Sequence, residues 1–417
     1  MATLSQQNSL APMRRASYRS SARFFYLVDA IGRLHEPTAK QLEALESSYH
    51  STGEFLSVCP EFRGQLSEIH AHGSRRLGTL VRPIDETREG FDIDLIARLH
   101  PGAMQKYDGL NGPARLLNDL HAALERYAKV HGLSVRRWER CVTLKYAGGM
   151  FADIAPVIDA PSLFGTYGST LGRIPDREKC RYDLTNPRGY AKGFDKAAAI
   201  SPVFTSIVAL TEAMSMDSRS SVAPLPDSQE VFGRLLSRLV QLLKLHRNVS
   251  FGLAASDASD LAPSSIFITT LTAAAYTVLA PQPHDSPLEL LLEIVETLPD
   301  YFERTRLPDG GEYWFLANPS APVENLASGM NTPARQAAFN SWHKRIKGQL
   351  TEIIDAIEER AGMDVLLDKL EAAFGKRAAR AIRNEEARQL QGSARTGGGS
   401  LISAGVDLHR NLTHLMG

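Results

Sequence analysis

Two aspartates in one strand-like segment constrain the fold of this chain more than any other feature. Asp92 and Asp94 flank Ile93 within Phe91–Leu99, where charged and apolar residues alternate. Side chains two residues apart on a strand point to the same face, so the two carboxylates would project together. Adjacent carboxylates repel each other unless a cation lies between them. The segment therefore predicts a strand that presents a site for a hard divalent ion such as Mg²⁺, which accepts oxygen ligands and substrate phosphates.

A third acid lies about sixty residues downstream. Thr143–Ile158 has the pattern of a β-hairpin that turns on Gly148-Gly149, and its second strand carries Asp153 between apolar neighbours. An unpaired charge in an apolar strand is costly, so Asp153 needs a partner. If the two strands are neighbours, three carboxylates converge. The expected cofactor is then a pair of Mg²⁺ ions, with Mn²⁺ as a substitute, spaced as in sites that catalyse in-line phosphoryl displacement.

A Gly-Ser pair precedes these acids. Gly73 and Ser74 follow a predicted strand, Ile69–Gly73, and lead into a predicted helix that carries Arg75 and Arg76. Such a turn offers backbone N–H groups and a hydroxyl to phosphate oxygens. An isolated acid pair or Gly-Ser pair is common in exposed loops. The order of strand, Gly-Ser, helix, acid pair and third acid is what indicates phosphate chemistry.

The hydrophobic pattern changes near residue 200. Phe24–Ser57 is helical with a break near Pro37, and strands and helices then alternate to about residue 200. Beyond that point the pattern is almost wholly helical, with loops around residues 281–287 and 307–333. The predicted helices there are Gln229–His246, Ser264–Ala280, Pro287–Leu298, Thr332–Ala361 and Met363–Ala373. We predict an α+β fold, with a lobe of mixed sheet and helices followed by a mostly helical lobe.

The predicted organisation is a flexible arm over residues 1–20, an α/β lobe over 21–200, a helical lobe over 201–375 and a tail over 376–417. The length of 417 residues suits two lobes. A net charge of zero gives no support for stable nucleic-acid binding. Dispersed cysteines, the lack of a signal-peptide pattern and the short apolar run Ser265–Ala280 predict a cytoplasmic protein without a membrane span.

The pattern Gly-Ser…Asp-x-Asp…Asp resembles the polymerase-β nucleotidyltransferase superfamily. Within it, the chain is most similar to the cGAS/DncV-like nucleotidyltransferases (CD-NTases) of bacterial CBASS anti-phage systems. The segments that carry this closer resemblance are Asn186–Tyr190, Leu239–Arg247, Pro263–Leu271 and Asn318–Asn325. The resemblance covers roughly residues 25–350. It implies that residues 21–200 form a polymerase-β-type catalytic lobe and that residues 201–375 form a helical lobe that completes the nucleotide pocket.

The resemblance also implies roles for individual residues. Asp92, Asp94 and Asp153 would be catalytic metal ligands, with Asp153 placed to help deprotonate the attacking hydroxyl. The donor triphosphate would contact Gly73, Ser74, Lys244 and either Ser264 or Ser265. Two simpler interpretations stay open: Lys244 as a solvated helix lysine, and the serines as a helix N-cap. The chain departs from the family in a long loop, Leu80–Gly90, whose Asp85, Glu86 and Glu89 are competing acids.

The implied activity is template-independent joining of NTPs into a cyclic di- or trinucleotide that signals to a downstream effector, with release of pyrophosphate. The alternatives are a linear RNA-tailing enzyme, an enzyme that transfers NMP, and a catalytically silent binding module. Arg136-Arg137-Trp138-Glu139-Arg140 would serve a tailing enzyme as a nucleic-acid contact, but it also fits an exposed, charged strand edge. The Gly-rich tail that ends at Gly417 is either without function or a substrate for ubiquitin-like conjugation machinery, which the resemblance permits.

Overall fold

The computed structural model describes residues 18–84, 91–146, 150–163, 165–205, 235–252 and 261–384. The predicted turn at Gly148-Gly149, the competing acids Asp85, Glu86 and Glu89, and the Gly-rich tail lie outside these ranges. The predicted start of a helix at Gln229 lies outside them as well.

The helices agree with most of the sequence pattern. They are α1 Tyr18–Leu34, α2 Ala39–Val58, α3 Gly73–Arg76, α4 Met104–Tyr107, α5 Gly112–His131, α6 Pro187–Ala198, α7 Leu235–Ser250, α8 Ser265–Leu279, α9 Pro287–Thr297, α10 Pro333–Glu358 and α11 Met363–Phe374. The break near Pro37 is confirmed: α2 begins after Thr38, whose side chain caps it together with Gln41. The predicted helix after the Gly-Ser pair is a single turn, α3.

A seven-stranded mixed sheet forms the first half of the molecule. Its strands are β1 Leu66–His72, β2 Asp92–Leu99, β3 Ser134–Arg137, β4 Val142–Lys145, β5 Phe151–Asp159, β6 Gly172–Asp176 and β7 Arg181–Thr185. They run in the order β1-β2-β5-β4-β3, and β6 pairs with both β5 and β7. Strands β2 and β5 are parallel neighbours, and β4 and β5 form the predicted antiparallel pair. The sheet therefore places the two acidic strands side by side.

Two hydrophobic cores lie behind this arrangement. One contains the inner faces of α2, α5 and the sheet. The other contains the helices beyond residue 234, and α1 and α6 also pack into it although they belong to the span predicted for the catalytic lobe. Residues 376–384 are helical, and Ala378, Ala379 and Ile382 are buried in this second core. The Asn186 side chain holds the start of α6, because it accepts from Gly189 N and donates to Ser320 O.

The prediction of loops around residues 281–287 and 307–333 is wrong in part. Short strands are present there: β9 Pro283–His284 pairs with β8 Val203–Phe204, β10 Glu303–Arg306 with β11 Glu312–Phe315, and β12 Ala317–Asn318 with β13 Ala321–Asn325. The residues of β10 are all exposed, so this strand lacks the apolar alternation on which strand prediction depends. The Asn325 side chain joins β13 to the backbone that precedes β12, since it accepts from Leu316 N and donates to Trp314 O.

The apolar run near residue 270 forms α8, a helix of 15 residues with a Ser264 N-cap. Phe267, Leu271 and Ala275 are fully buried in the helical core. Within the ranges described above, no helix combines the length and hydropathy that a membrane span requires.

Candidate active site

A row of side chains crosses one face of the sheet at the level of the predicted acids. Asp94 on β2 is in register with Asp153 on β5, and Asp153 is in register with Thr143 on β4. On the other side, Asp94 pairs with His72 at the end of β1. Directly paired residues point to the same face of a sheet. Two predicted ligands therefore lie side by side, and Asp92 precedes them at the exposed start of β2.

The Gly73-Ser74 turn approaches this row from the end of β1. Gly73 has φ of +56°, and a Cβ atom there would lie 1.9 Å from Asp94 Oδ2. Both the left-handed backbone and the close approach require glycine at this position. Backbone hydrogen bonds from Leu77 N to Gly73 O and from Thr79 N to Ser74 O hold the turn. The turn is thus fixed directly against an acidic side chain.

The electrostatics of Asp94 indicate a place for a cation. Burial and the neighbouring Asp153 charge raise the pKa of Asp94 to about 6, although Lys244 opposes the shift. A divalent ion would favour the ionised carboxylates, and Asp92, Asp94 and Asp153 offer the oxygen ligands that Mg²⁺ prefers. Across the described residues, no three His, Cys, Asp or Glu side chains already have the spacing of a metal-ligand set. The convergence of these carboxylates on two ions therefore stays a prediction.

Lys244 lies on α7 opposite the acids and is 5% exposed. Its Nζ donates to Thr79 O at 2.9 Å. Burial, with a further effect from Arg247, lowers the pKa of Lys244 to about 7, while Asp94 acts in the opposite direction. The interpretation as a solvated helix lysine is therefore wrong. A buried cation held against the turn that carries Ser74 is well placed to meet an anionic ligand.

The two serines differ in their surroundings. Ser264 is the N-cap of α8, and its Oγ accepts from Phe267 N. Ser265 is the first helical residue, and its Oγ accepts from Arg247 Nη2 at 2.9 Å. Arg247 also donates to Pro263 O, so a buried guanidinium stabilises the end of the helix that faces the cleft. Capping is confirmed for Ser264, and either hydroxyl still has a proton to donate.

The acids, the Gly-Ser turn, Lys244 and the two serines line one cleft of about 730 Å³, a size typical of small-molecule sites. The predicted residues on its wall are Gly73, Ser74, Asp92, Asp94, Asp153, Lys244, Ser264 and Ser265. The sequence pattern does not single out other cleft residues, among them Cys141, Arg247, Asn248 and Glu324, and it marks Arg140 only as a member of the basic cluster. Arg247 and Glu324 do lie inside two of the segments that carry the family resemblance, Leu239–Arg247 and Asn318–Asn325, so the sequence offered a signal for both. Arg140 and Cys141 reach the cleft only through the pairing of β3 and β4.

Comparison with known proteins agrees with this geometry. Residues 33–197 match the family model described as Second Messenger Oligonucleotide or Dinucleotide Synthetase (SMODS) domain. A curated relative, the cyclic dinucleotide synthase CdnG of Bradyrhizobium diazoefficiens, is 24% identical over 395 residues, which cover 88% of this chain and 84% of the relative. The structure of the B. diazoefficiens CD-NTase CdnG in complex with GTP matches with a TM-score of 0.61 at 19% identity, over 87% of this chain and 99% of that one. Residues 33–197 therefore resemble a SMODS domain, and the chain as a whole is similar in sequence and fold to a CD-NTase.

Other CD-NTases share the fold. Escherichia coli MS115-1 CdnC, in its complex with HORMA-deltaN, matches with a TM-score of 0.52 at 16% identity, covering 84% of this chain and 97% of that one. The Vibrio cholerae di-nucleotide cyclase DncV matches with a TM-score of 0.50 at 17% identity, over 87% and 89% of the two chains. The predicted fold class, a nucleotidyltransferase lobe with a mostly helical second part, is confirmed. The domain match and the curated relative accordingly indicate that this chain is a nucleotidyltransferase.

Proposed function

We propose that this chain is a Mg²⁺-dependent, template-independent nucleotidyltransferase that joins NTPs into a cyclic di- or trinucleotide. The observation that carries the proposal is the in-register pair Asp94 and Asp153, which faces a Gly-Ser turn and a buried lysine in one cleft. Carboxylates, a turn with backbone N–H donors and a buried cation are the groups that phosphoryl transfer requires. Curated CdnG, a cyclic dinucleotide synthase, supports a cyclic product.

In the proposed reaction, the donor triphosphate lies against Gly73, Ser74 and Lys244, with a serine hydroxyl at the start of α8. A ribose hydroxyl of a second nucleotide attacks the α-phosphorus, the bond to the β-phosphate breaks, and pyrophosphate leaves. Asp153 takes the proton from the attacking hydroxyl. When bound to Asp92, Asp94 and Asp153, divalent ions would neutralise the charge that develops on the attacking and leaving oxygens. A second transfer of the same kind closes the ring.

The protein contributes mainly position and charge. Lys244 is desolvated, so it interacts with a phosphate more strongly than an exposed lysine does. Gly73 lets the backbone approach Asp94, which keeps the phosphate turn and the acids at one fixed separation. Such positioning accounts for a large share of catalysis in reactions that bring two substrates together.

A linear RNA-tailing activity is the main alternative, and the surface near the cleft gives it little support. A tailing enzyme needs a basic groove for a long acceptor. The predicted basic cluster is engaged within the chain: Arg140 pairs with Asp176, Arg137 donates to the Asn118 side chain, and Arg136 lies 3.7 Å from the centre of the Trp138 ring. These contacts favour a small acceptor such as a second nucleotide.

Incubation of the purified chain with combinations of the four NTPs and Mg²⁺ or Mn²⁺ tests the proposal. We expect a small product that resists phosphatase and is absent when Asp92 and Asp94 are both replaced by Asn. A linear product that grows with time, or NMP transfer to an added macromolecule, would establish an alternative. Retained turnover in the double variant would overturn the assignment of the acids.

The biological setting forms part of the same proposal. A cyclic nucleotide would act on a separate effector in anti-phage signalling within the cytoplasm, without stable nucleic-acid or membrane binding. Attachment of the tail to other molecules by ubiquitin-like machinery stays a prediction. Removal of residues 392–417 with unchanged regulation in cells would exclude it.

A further inference from the structure

Asp153 is held by a chain of two hydrogen bonds that starts at Trp138. The Trp138 indole Nε1 donates to Thr143 Oγ1 at 2.8 Å. Thr143 Oγ1 in turn donates to Asp153 Oδ1. Thr143 is 9% exposed, and it is the direct cross-strand neighbour of Asp153 on β4. The three side chains thus lie in sequence from the edge of the sheet to the cleft.

The chemistry of the three groups fixes the direction of donation in these two hydrogen bonds. An indole N–H can only donate, and an ionised carboxylate can only accept. Thr143 must therefore receive the indole proton on a lone pair, and its single hydroxyl proton is directed to Asp153. A hydroxyl that would otherwise rotate is locked in one orientation.

Trp138 is itself anchored. Its backbone N donates to Cys141 O at 2.9 Å, which closes the turn between β3 and β4. The Arg136 guanidinium covers its ring at 3.7 Å, and Arg136 is the direct cross-strand neighbour of Thr143 on β3. The aromatic residue that a tailing enzyme would use for stacking is thus turned toward the acidic site, and its ring is covered by a cation.

We propose that Thr143 and Trp138 are positioning residues that set the orientation of the Asp153 carboxylate. The inference rests on the role proposed above for Asp153. Strand order decides how the hydrogen bond acts, because β5 lies between β2, which carries Asp94, and β4, which carries Thr143. Thr143 holds Oδ1 on the side of β5 that is remote from Asp94. This keeps the two carboxylates apart and leaves Oδ2 outside that hydrogen bond, available as a ligand.

The test compares Thr143→Val, which keeps the shape but removes the hydroxyl, with Thr143→Ser, which keeps the hydroxyl. Because partners of metal ligands typically contribute 10- to 100-fold to affinity or activity, we expect Thr143→Val to lower turnover by about that factor. Thr143→Ser should restore turnover close to that of the wild type. Trp138→Phe retains the ring under Arg136 but loses the N–H donor, and it should give a smaller loss.

Ion binding provides a readout that does not depend on turnover. Mn²⁺ titration followed by electron paramagnetic resonance should give a weaker dissociation constant for Thr143→Val than for the wild type and Thr143→Ser. Trp138 lies two hydrogen bonds from the Asp153 carboxylate. The fluorescence of Trp138, measured as the difference between wild type and Trp138→Phe, should therefore change when Mn²⁺ is added. This change should be absent in the Thr143→Val background. Thr272→Val is the matched control, since this buried threonine donates to Ile268 O within α8 and lies outside the cleft.

Asp153→Asn separates the two levels of the proposal. If Asp153→Asn keeps turnover and Mn²⁺ affinity, the proposed role of Asp153 itself fails. If Asp153→Asn loses both while Thr143→Val behaves like the wild type and like Thr272→Val, the function stands and the positioning role is overturned. Equal losses in Thr143→Ser and Thr143→Val would also overturn it, because the hydroxyl would then not be the cause.

Discussion

Asp94 and Asp153 lie directly opposite each other on two adjacent parallel strands, without any offset in register. Two acids in this position oppose folding, since burial and mutual repulsion raise the pKa of Asp94 to about 6. The sheet thus holds two carboxylates in an arrangement that lowers the stability of the metal-free protein and favours the binding of a cation. Function and stability should respond in opposite directions when this pair is changed.

We predict that Asp94→Asn abolishes turnover while it stabilises the protein in metal-free buffer. The neutral amide removes the repulsion from Asp153, and the gain in unfolding free energy should be on the order of 1 kcal/mol. Denaturant unfolding in the presence of EDTA measures the stability, and product formation from NTPs measures the activity.

Asp159→Asn is the matched comparison for that substitution, because Asp159 lies on the same strand as Asp153 but pairs with the buried Arg98. Its neutralisation leaves Arg98 without its carboxylate and should destabilise the fold by about 3 kcal/mol or more. If Asp94→Asn destabilises the protein as Asp159→Asn does, the repulsion between Asp94 and Asp153 is not significant.

Gly73→Ala should inactivate the enzyme by steric conflict. The new Cβ would fall 1.9 Å from Asp94 Oδ2, so the turn or the acid must move. A displacement of about 1 Å can lower a rate about 100-fold, which is the expected loss of kcat. Gly64→Ala is the control, since Gly64 also has positive φ, at +73°, but has open space around it. Both variants should lose about 1 kcal/mol of stability from the backbone strain, and only Gly73→Ala should lose activity.

Lys244→Met should weaken nucleotide binding without weakening the fold. The substitution removes a buried ammonium whose pKa burial lowers to about 7, so its loss also removes a desolvation cost. A charge-assisted hydrogen bond contributes about 1.5–3 kcal/mol, so the dissociation constant of a non-hydrolysable NTP should rise about 10- to 100-fold. Lys369→Met, at a partly exposed pair with Glu352, should leave binding unchanged. Unchanged affinity in Lys244→Met would remove this residue from the site.

The sequence was sufficient to predict the two acidic strands because their polar residues interrupt apolar ones with a period of two. It also indicated the Gly-Ser turn and the helices beyond residue 200. It did not indicate the exposed ribbon of β10 and β11, whose stability depends on packing around Trp314 and on its own hydrogen bonds. Local pattern carries no information about such contacts.

The same reason explains the residues in and beside the cleft that the sequence left unmarked. Thr143 differs from many strand threonines only because β4 lies beside β5, which places its hydroxyl against Asp153. Arg247 differs from other helix arginines because α7 and α8 pack together, which brings its guanidinium to Ser265. These roles arise from tertiary neighbours, and periodicity describes one segment at a time.

The helical core should respond to acid through His246. This fully buried side chain on α7 lies between Trp342 and Phe374, and its Nε2 lies 2.7 Å from Gln349 Oε1. Because a side-chain amide oxygen is an acceptor, Nε2 carries the proton in the neutral ring. Burial lowers the pKa of His246 to about 4, and the hydrogen bond to Gln349 opposes this shift only in part. The unfolded chain therefore binds a proton near pH 6.5 that the folded chain does not accept until about pH 4.

The contribution of His246 is fully present above about pH 6.5 and is lost progressively as the pH falls toward 4. In this window each such group adds up to about 1.4 kcal/mol per pH unit to the slope of the unfolding free energy. We expect His246→Gln to show a slope that is smaller by about one proton than that of the wild type, since the acidic residues that both proteins share cancel in the comparison. Denaturant unfolding at half-unit intervals from pH 7 to 4.5 gives both slopes. Parallel curves for the two proteins would mean that burial in the core does not lower the pKa of His246.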